Sequence, residues 1–295
     1  MDGIKKILLT GARGMLAQDV LAQRPPHVTV IETDVQELDI TDAGAVRAFC
    51  AEHAPDAILN CAAYTAVDKA ESERTLAFAV NETGPRNLAA AAAVRGIPFV
   101  HLSTDFVFQG DGSRLLREDD PPAPRGVYAE SKRAGECAIE KAGGAWLIVR
   151  TSWLYAAHHA NFVATILRLA AGRDRLTVVD DQRGSPTYAP DLAGALWRLL
   201  ACGARGYVHF CNRGVCSWFE FARDIVRLGQ EYGLLPATRV IDVAPCTTEE
   251  FPRPAPRPSF SAMDTARYTA LTGATPRLWQ DALAECIARL AVQRV

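Results

Sequence analysis

Short apolar runs alternate with helix-like segments through the first half of the chain, and this alternation leaves few folds open. The runs span 4–10, 28–31, 57–63, 97–102 and 146–150. The run at 57–63 is almost continuously apolar, as in a strand buried on both faces, whereas a strand with one solvated face alternates. Strands alternating with helices predict a doubly wound parallel sheet, the α/β architecture of the Rossmann type.

A glycine loop follows the first run. Gly11 and Gly14 stand in the pattern G-x-x-G-x-x-A, just before a segment of helical spacing that begins at Leu16. Such glycines let the backbone approach a pyrophosphate, which the N-terminus of the next helix stabilises. An ordinary turn has the same composition. The position between a first strand and a helix favours a dinucleotide-binding loop.

One residue in the glycine loop and one after the second run leave the choice of dinucleotide open. An acidic residue about twenty positions past the glycines commonly binds an adenosine ribose hydroxyl, which favours NADH, and Asp34 stands there. Arg13 favours NADPH, because a guanidinium in the loop can bind the 2′-phosphate. The segment 39–42 predicts a loop entering a helix, with Thr41 or Asp42 as the N-cap.

Tyr128 and Lys132 stand four residues apart in a predicted helix, so both side chains would point into one cleft. A nearby cation lowers the pKa of a tyrosine, and the phenol then serves as a proton donor near neutral pH. Thr104 follows directly after the run at 97–102, at the carboxyl end of a strand, where open α/β sheets bind their ligands, and its hydroxyl would bond a carbonyl oxygen. The tyrosine–lysine spacing by itself also fits a solvated helix with a half-buried tyrosine. The position of Thr104 is independent support for an active site.

The pattern changes in the second half of the chain. We expect residues 1–155 to form a dinucleotide-binding domain, which segments near 174–180 and 191–212 rejoin. We expect residues 156–295 to form mainly a smaller, partly discontinuous substrate domain. The Pro/Arg stretch at 252–258 predicts a stiff extended loop. Alternatively, Arg253 or Arg257 meets a diphosphate of the substrate.

Charge, apolar runs and cysteine content bear on the partners and the compartment of the protein. The net charge of −2 and pI near 6.3 give no reason to expect nucleic acid or an anionic membrane as partners. No apolar run reaches membrane-spanning length, and the apolar residues near the N-terminus are too few for a signal-peptide core, so we expect a cytoplasmic protein. The eight cysteines include no C-x-x-C pair, which favours reduced structural thiols.

Several motifs together resemble the extended short-chain dehydrogenase/reductases, and specifically the dTDP-4-dehydrorhamnose reductases. The motifs are G-A-R-G-M-L-A after the first run, N-C-A-A-Y-T-A-V-D-K-A-E (60–71), S-T-D-F-V-F (103–108), Y-A-E-S-K (128–132), R-T-S-W-L-Y (150–155) and D-D-Q-R-G-S-P-T (180–187). The resemblance runs nearly end to end. Its departures are Ala17 for a glycine, Cys61 for a usual alanine and Phe106 for a frequent tyrosine, and none removes a reactive group.

The resemblance implies reduction of the C4 ketone of dTDP-4-dehydro-β-L-rhamnose to dTDP-β-L-rhamnose, with NADPH or NADH as the reductant. It implies that Tyr128 protonates the incipient alkoxide, that Lys132 holds the nicotinamide ribose and that Thr104 binds the ketone oxygen. Asp105 and Trp153 match substrate-binding positions. The cofactor positions implied by the family, besides Tyr128 and Lys132, are Gly11, Arg13, Gly14, Met15, Leu16, Asp34, Asp39, Ile40, Ala63, Tyr64, Thr65 and Leu102.

Some features of the family do not map onto single residues. Certain relatives bind Mg²⁺ through carboxylates at a dimer interface, so the resemblance admits Mg²⁺ and a homodimer but assigns no metal ligand here. Three alternatives stay open: a reductase of another nucleotide-linked 4-keto-deoxysugar, a non-catalytic cofactor-binding regulatory subunit, and a sugar-nucleotide dehydratase or epimerase of the same superfamily.

Overall fold

The computed structural model describes residues 3–112 and 114–293. The strands are β1 Lys6–Thr10, β2 Thr29–Thr33, β3 Ala57–Asn60, β4 Phe99–Thr104, β5 Trp146–Thr151, β6 Leu154–Tyr155, β7 Arg175–Val179, β8 Arg183–Gly184, β9 Thr187–Tyr188, β10 Gly206–His209, β11 Cys216–Ser217 and β12 Asp242–Cys246. The helices are α1 Met15–Ala22, α2 Ala43–His53, α3 Val67–Ala70, α4 Arg74–Phe78, α5 Gly84–Arg95, α6 Val127–Ala142, α7 Phe162–Gly172, α8 Ala189–Ala201, α9 Trp218–Glu231, α10 Ala266–Thr272 and α11 Trp279–Gln293. A π-helical turn, Ala79–Thr83, joins α4 to α5, and a 3₁₀ turn, Asp105–Val107, follows β4.

Six strands form one sheet in the order β10-β5-β4-β3-β1-β2, and every pair in it is parallel. The predicted doubly wound parallel sheet is therefore confirmed. Strand order reverses direction between β1 and β3, because β2 lies on one side of β1 and β3 on the other. In such sheets this reversal opens a crevice at the carboxyl ends of the two strands.

Helices cover both faces of this sheet, which explains the apolar runs. In β1, Ile7 and Leu9 pack with α1 and α8, whereas Leu8 between them packs with α2, α5 and α6. Consecutive strand residues point to opposite faces, so a sheet covered twice needs apolar residues at consecutive positions.

A second core lies among α7, α9, α11 and their neighbouring short strands. Strand β7 pairs with β12 there, and Leu176 and Val178 are buried in this core. The expectation that the segment near 174–180 rejoins the first domain is wrong for this strand. Its alternating burial suits one packed face, whereas a place in the six-stranded sheet would bury both. Strand β10, by contrast, pairs with β5 at the edge of the large sheet.

Local signals set several helix ends. The Asp42 carboxylate accepts hydrogen bonds from the N–H groups of Gly44 and Ala45 and caps α2, as one of the two predicted caps. Gly96 ends α5 in the left-handed conformation. Each cysteine is a free thiol, and five of the eight are buried. Within 3–112 and 114–293, no helix combines the length and apolarity needed to cross a bilayer.

Candidate active site

The loop after β1 meets the chain leaving β3 at the strand-order reversal. Gly11 has a φ of 69°, and a Cβ added there would lie 2.6 Å from the backbone nitrogen of Ala62. Only glycine permits this approach and this φ. The resulting cleft has a volume of about 290 Å³ and is lined by Gly11, Gly14, Asp34, Asp39, Ile40 and Ala63 among others. Six of the predicted cofactor positions therefore surround one cavity.

The N-terminus of α1 opens into this cleft beside Gly14. None of the described side chains caps the helix, so its first N–H groups are available to an anion. Together with the glycine approach, this donor set fits a dinucleotide pyrophosphate. The two predicted cofactor positions at the start of this helix differ in exposure. Met15 is half-buried, whereas the side chain of Leu16 is packed into the core and only its backbone faces the loop.

Asp34 and Arg13 lie together at the end of β2. The backbone N–H of Arg13 donates to Asp34 Oδ2 at 3.1 Å. The guanidinium of Arg13 bonds the Gln36 side chain and lies 2.5 Å from Glu37 Oε1. Asp34 therefore holds the glycine loop in place, and Arg13 stands exposed at the rim of the cleft.

The segment after β3 is held by a buried asparagine in the π-helical turn. Asn81 accepts from the Tyr64 N–H at 2.9 Å and donates to the Tyr64 carbonyl and to Ser131 Oγ, both at 3.0 Å. This places Ala63 in the cleft wall, while Thr65 is exposed. Gly135 lets α6 approach, since a Cβ there would lie 2.0 Å from the Asn81 carbonyl oxygen.

Thr104 and Tyr128 meet where β4 ends and α6 begins. Burial raises the pKa of Tyr128 to about 12. The Thr104 side chain acts to lower this pKa by hydrogen bonding, and the charge of Asp105 acts to raise it. The expectation that Lys132 lowers this pKa is wrong in this structure. The phenol stays protonated at neutral pH, which suits a proton donor.

Lys132 is engaged by strand β4. Its Nζ donates to the Leu102 carbonyl at 2.6 Å and lies 3.2 Å from His101 Nε2. Burial lowers the pKa of Lys132 to about 8, although Glu136 and Cys61 act in the opposite direction. A lysine tied to the strand in this way has its charge directed to β4, which explains why it does not stabilise a Tyr128 phenolate.

Asp105 is a buried carboxyl group directly after Thr104. Its Oδ1 accepts from the Thr104 hydroxyl at 3.1 Å, while its Oδ2 has no hydrogen-bond partner among the described residues. Burial raises the pKa of Asp105 to about 6, and the neighbouring hydroxyls of Ser261 and Thr104 oppose this rise. An unpartnered buried carboxylate oxygen is costly, and such groups mark sites where a ligand completes the bonding.

A second cavity, of about 400 Å³, lies beside the second core and is bordered by Phe106. The Phe106 ring also packs edge-on against Tyr128 at 5.5 Å, so the cavity adjoins Tyr128. Its aromatic lining includes Trp153, whose ring stacks on Trp218 with centroids 3.5 Å apart. Trp153 has a φ of 46°, a strained conformation for a tryptophan, and Gly184 leaves room for its ring.

The Pro/Arg stretch brings two guanidinium groups to this cavity. Arg253 and Arg257 both line it. Arg257 is bonded to Asp68 Oδ1 at 2.9 Å, and Arg253 lies over the Phe251 ring. The stretch is therefore a cavity wall as well as an extended loop.

Sequence reasoning missed the polar residues that surround Lys132 from other elements. His101 was hidden within an apolar run, and Glu136 was not singled out although it lies one further helical turn from Lys132 on the same face. That periodicity was the available signal for Glu136. Among residues 3–112 and 114–293, no cluster of three His, Cys, Asp or Glu side chains is arranged to hold a metal ion.

Several known proteins that share one name are similar to this chain over nearly its whole length. Residues 5–292 match the family model described as RmlD substrate binding domain. A Streptomyces griseus protein named dTDP-4-dehydrorhamnose reductase is 45% identical over 290 residues, covering 94% of this chain and 91% of the relative. A Clostridium acetobutylicum structure of a dTDP-4-dehydrorhamnose reductase superposes with a TM-score of 0.90 at 41% identity, covering 97% of this chain and 99% of the other. A Bacillus anthracis enzyme of that name, solved in complex with NADP, has a TM-score of 0.90 at 38% identity with the same coverage.

Proposed function

The chain belongs to the RmlD substrate binding domain family, and from this premise we propose that it reduces the C4 ketone of dTDP-4-dehydro-β-L-rhamnose to dTDP-β-L-rhamnose with NADPH. The observation that carries the proposal is the buried site where β4 ends and α6 begins: Tyr128 lies against Thr104, and Lys132 donates to the Leu102 carbonyl. A glycine-lined cleft lies at the strand-order reversal, and an aromatic cavity lies beside Phe106. The glycine-lined cleft suits a dinucleotide, and the aromatic cavity suits a nucleotide-linked sugar.

The glycine cleft would hold the cofactor, which supplies a hydride to C4 when bound. The backbone at Gly11 and Gly14 would meet the pyrophosphate, and Asp34 and Asp39 would lie near the adenosine. Arg13 is exposed at the rim and is the candidate for a 2′-phosphate, which favours NADPH over NADH. Lys132 would hold the nicotinamide ribose hydroxyls.

Tyr128 would deliver the proton. Its phenol keeps its proton at neutral pH because burial raises its pKa to about 12. Negative charge that develops on the C4 oxygen raises the proton affinity of that oxygen, and the phenol is then the stronger acid of the pair. The Thr104 hydroxyl, which donates to Asp105 and lies beside Tyr128, would orient the ketone oxygen toward the phenol.

The aromatic cavity would bind the nucleotide-linked part of the substrate. Its aromatic walls, Trp153, Trp218 and Phe106, offer flat apolar surface for a base or a deoxysugar. Arg253 and Arg257 supply positive charge on the same wall, which suits a diphosphate. We therefore assign the substrate to this side of Tyr128.

Phe106 argues against a dehydratase. Elimination of water across C5 and C6 needs an acid and a base beside the active-site threonine. Asp105 follows Thr104, but the next side chain is a phenyl ring that packs on Tyr128. A phenyl ring cannot transfer a proton, whereas a reductase needs none from this position.

The test is cofactor oxidation on a panel of dTDP- and UDP-linked 4-keto sugars. We expect one NADPH consumed per ketone reduced, with the dTDP-linked 4-keto-rhamnose preferred. In a parallel assay, dTDP-glucose with catalytic NAD⁺ should yield no 4-keto-6-deoxy product. Formation of that product without NADPH turnover would replace the reductase by a dehydratase, and no turnover on any sugar would favour a regulatory subunit.

A further inference from the structure

His101 joins two buried polar groups across the sheet. It is fully buried in β4, with Nδ1 at 2.9 Å from Asn60 Nδ2 and Nε2 at 3.2 Å from Lys132 Nζ. The proposed reaction gives it no role. The two distances make the imidazole the only described side chain that bonds both Asn60 and Lys132.

The amide of Asn60 has a determined orientation. Its Oδ1 accepts from the backbone N–H of Ala62 at 3.0 Å and from the Thr10 hydroxyl at 2.6 Å. A backbone N–H can only donate, so the oxygen must face Ala62 and the NH₂ group must face His101. His101 Nδ1 therefore accepts a hydrogen bond and carries no proton.

The tautomer of His101 follows from this orientation. Burial, with the Lys132 charge beside it, lowers the pKa of His101 well below the usual value, so the ring is neutral. A neutral imidazole carries one proton, which then sits on Nε2 and points at Lys132 Nζ. An ammonium cannot accept this hydrogen bond, whereas an amine can accept it and still donate to the Leu102 carbonyl.

We propose that His101 is a positioning residue whose Nε2–H, held toward Lys132 by Asn60, favours the uncharged amine of that lysine over its ammonium. The groups that face Lys132 oppose one another: His101 from β4 disfavours the charge, while Glu136 from α6 and Cys61 from the segment after β3 favour it. Burial is the largest influence and lowers the pKa of Lys132 to about 8, and the Nε2–H of His101 would act in the same direction.

The first test reads the tautomer directly. Protein labelled with ¹⁵N-histidine is studied by long-range ¹H–¹⁵N correlation from mildly acidic to mildly alkaline pH, and His101 is assigned by the signal lost in His101→Gln. We expect a protonated Nε2 and an unprotonated Nδ1 throughout. The opposite tautomer, or an imidazolium near neutral pH, would overturn the proposal.

The second test reverses the tautomer and reads Lys132. In Asn60→Asp the carboxylate accepts from Nδ1–H, so Nε2 becomes an acceptor and should stabilise the ammonium. We expect about a tenfold gain in the proton affinity of Lys132, read from the ¹³Cε shift of labelled lysine without cofactor or substrate. The matched control is Asn60→Asp in a His101→Phe background, which keeps the added charge and removes the relay. An equal gain in both backgrounds would assign the effect to charge alone and refute the role of His101.

The catalytic consequence rests on the proposed function and is measured separately. The alkaline limb of kcat/KM for NADPH should move up by about one pH unit in Asn60→Asp, because this parameter reports ionisations of the free enzyme. A parent protein without turnover would count against the reductase, while the tautomer and the lysine titration would still decide the proposal for His101.

Discussion

Helix α6 carries two buried polar clusters one after the other along the face that it turns to the sheet. In the first cluster the buried carboxylate of Glu136 is fully hydrogen-bonded, or saturated. It accepts from Ser103 at 2.6 Å, twice from Arg150 at 2.9 Å and from Arg133 at 2.9 Å. The cluster around Tyr128 is not saturated, because Asp105 Oδ2 has no partner among the described residues.

The pKa shifts of the two clusters differ accordingly. Burial acts to raise the pKa of Glu136, but hydrogen bonds and the charge of Arg150 reverse the effect and lower it. At the other cluster burial prevails, and it raises the pKa of Asp105 to about 6 and lowers that of Lys132 to about 8. A saturated cluster fixes the position of a helix, whereas an unsaturated one keeps groups able to change protonation and to receive a ligand.

The largest effect expected is on catalysis, at the unsaturated cluster. Tyr128→Phe removes the phenol that we propose as the proton donor and preserves the ring that packs on Phe106. Loss of a general acid is typically worth about 10²–10⁴-fold in rate, and we expect a loss of this order in NADPH oxidation. Cofactor affinity and the unfolding midpoint should largely survive. Near-normal turnover in this variant would show that the proton comes from elsewhere.

The next effect is on stability, at the saturated cluster. Glu136→Gln leaves the guanidinium of Arg150 buried without its carboxylate, and breaking a buried pair in this way costs about 3–5 kcal/mol. We expect a drop of this size in the free energy of unfolding, measured by urea denaturation. A loss of less than about 1 kcal/mol would mean that Arg150 is neutralised by another group or by solvent.

A smaller effect of opposite sign is expected at Asp105. Its folded pKa of about 6 exceeds the usual 3.8, so the folded state binds more protons and the ionised carboxylate destabilises it at neutral pH. Asp105→Asn should raise the free energy of unfolding by up to about 3 kcal/mol above the folded pKa. The gain should shrink as the pH falls toward the ordinary pKa, where the parent is protonated in both states.

The stability and the activity of this variant should change in opposite directions. The same Asp105→Asn change should slow turnover, since the carboxylate is bonded to Thr104. Stabilisation with full activity would argue that Asp105 serves neither substrate nor Thr104, and a pH-independent gain would argue that its carboxyl group is not the source.

The smallest effect is expected at an exposed pair on the same helix. Glu130 bonds Arg74 at 2.9 Å, but both side chains are largely solvated. Because exposed pairs contribute about 0–1 kcal/mol, Glu130→Gln should change the free energy of unfolding by no more than this. It is the matched control for Glu136→Gln, and a loss similar to that of Glu136→Gln would remove burial as the explanation.

The sequence by itself determined the main sheet and the placement of its reactive residues. Apolar residues at consecutive positions predict strands covered on both faces, and the helical period puts Tyr128 and Lys132 on one side of α6. Both signals are local, because they depend only on the repeat of strand or helix. The family motifs added Asp105 and Trp153 as expected substrate-binding residues.

Only the tertiary structure decided how these groups behave. The sequence predicts a lowered pKa for Tyr128, but the fold buries the phenol and engages Lys132 with His101 and the Leu102 carbonyl, so the pKa is raised. The tertiary fold also decided that β7 pairs with β12 and does not join the large sheet. Desolvation and hydrogen bonding depend on atoms brought from distant parts of the chain, and no local period carries that information.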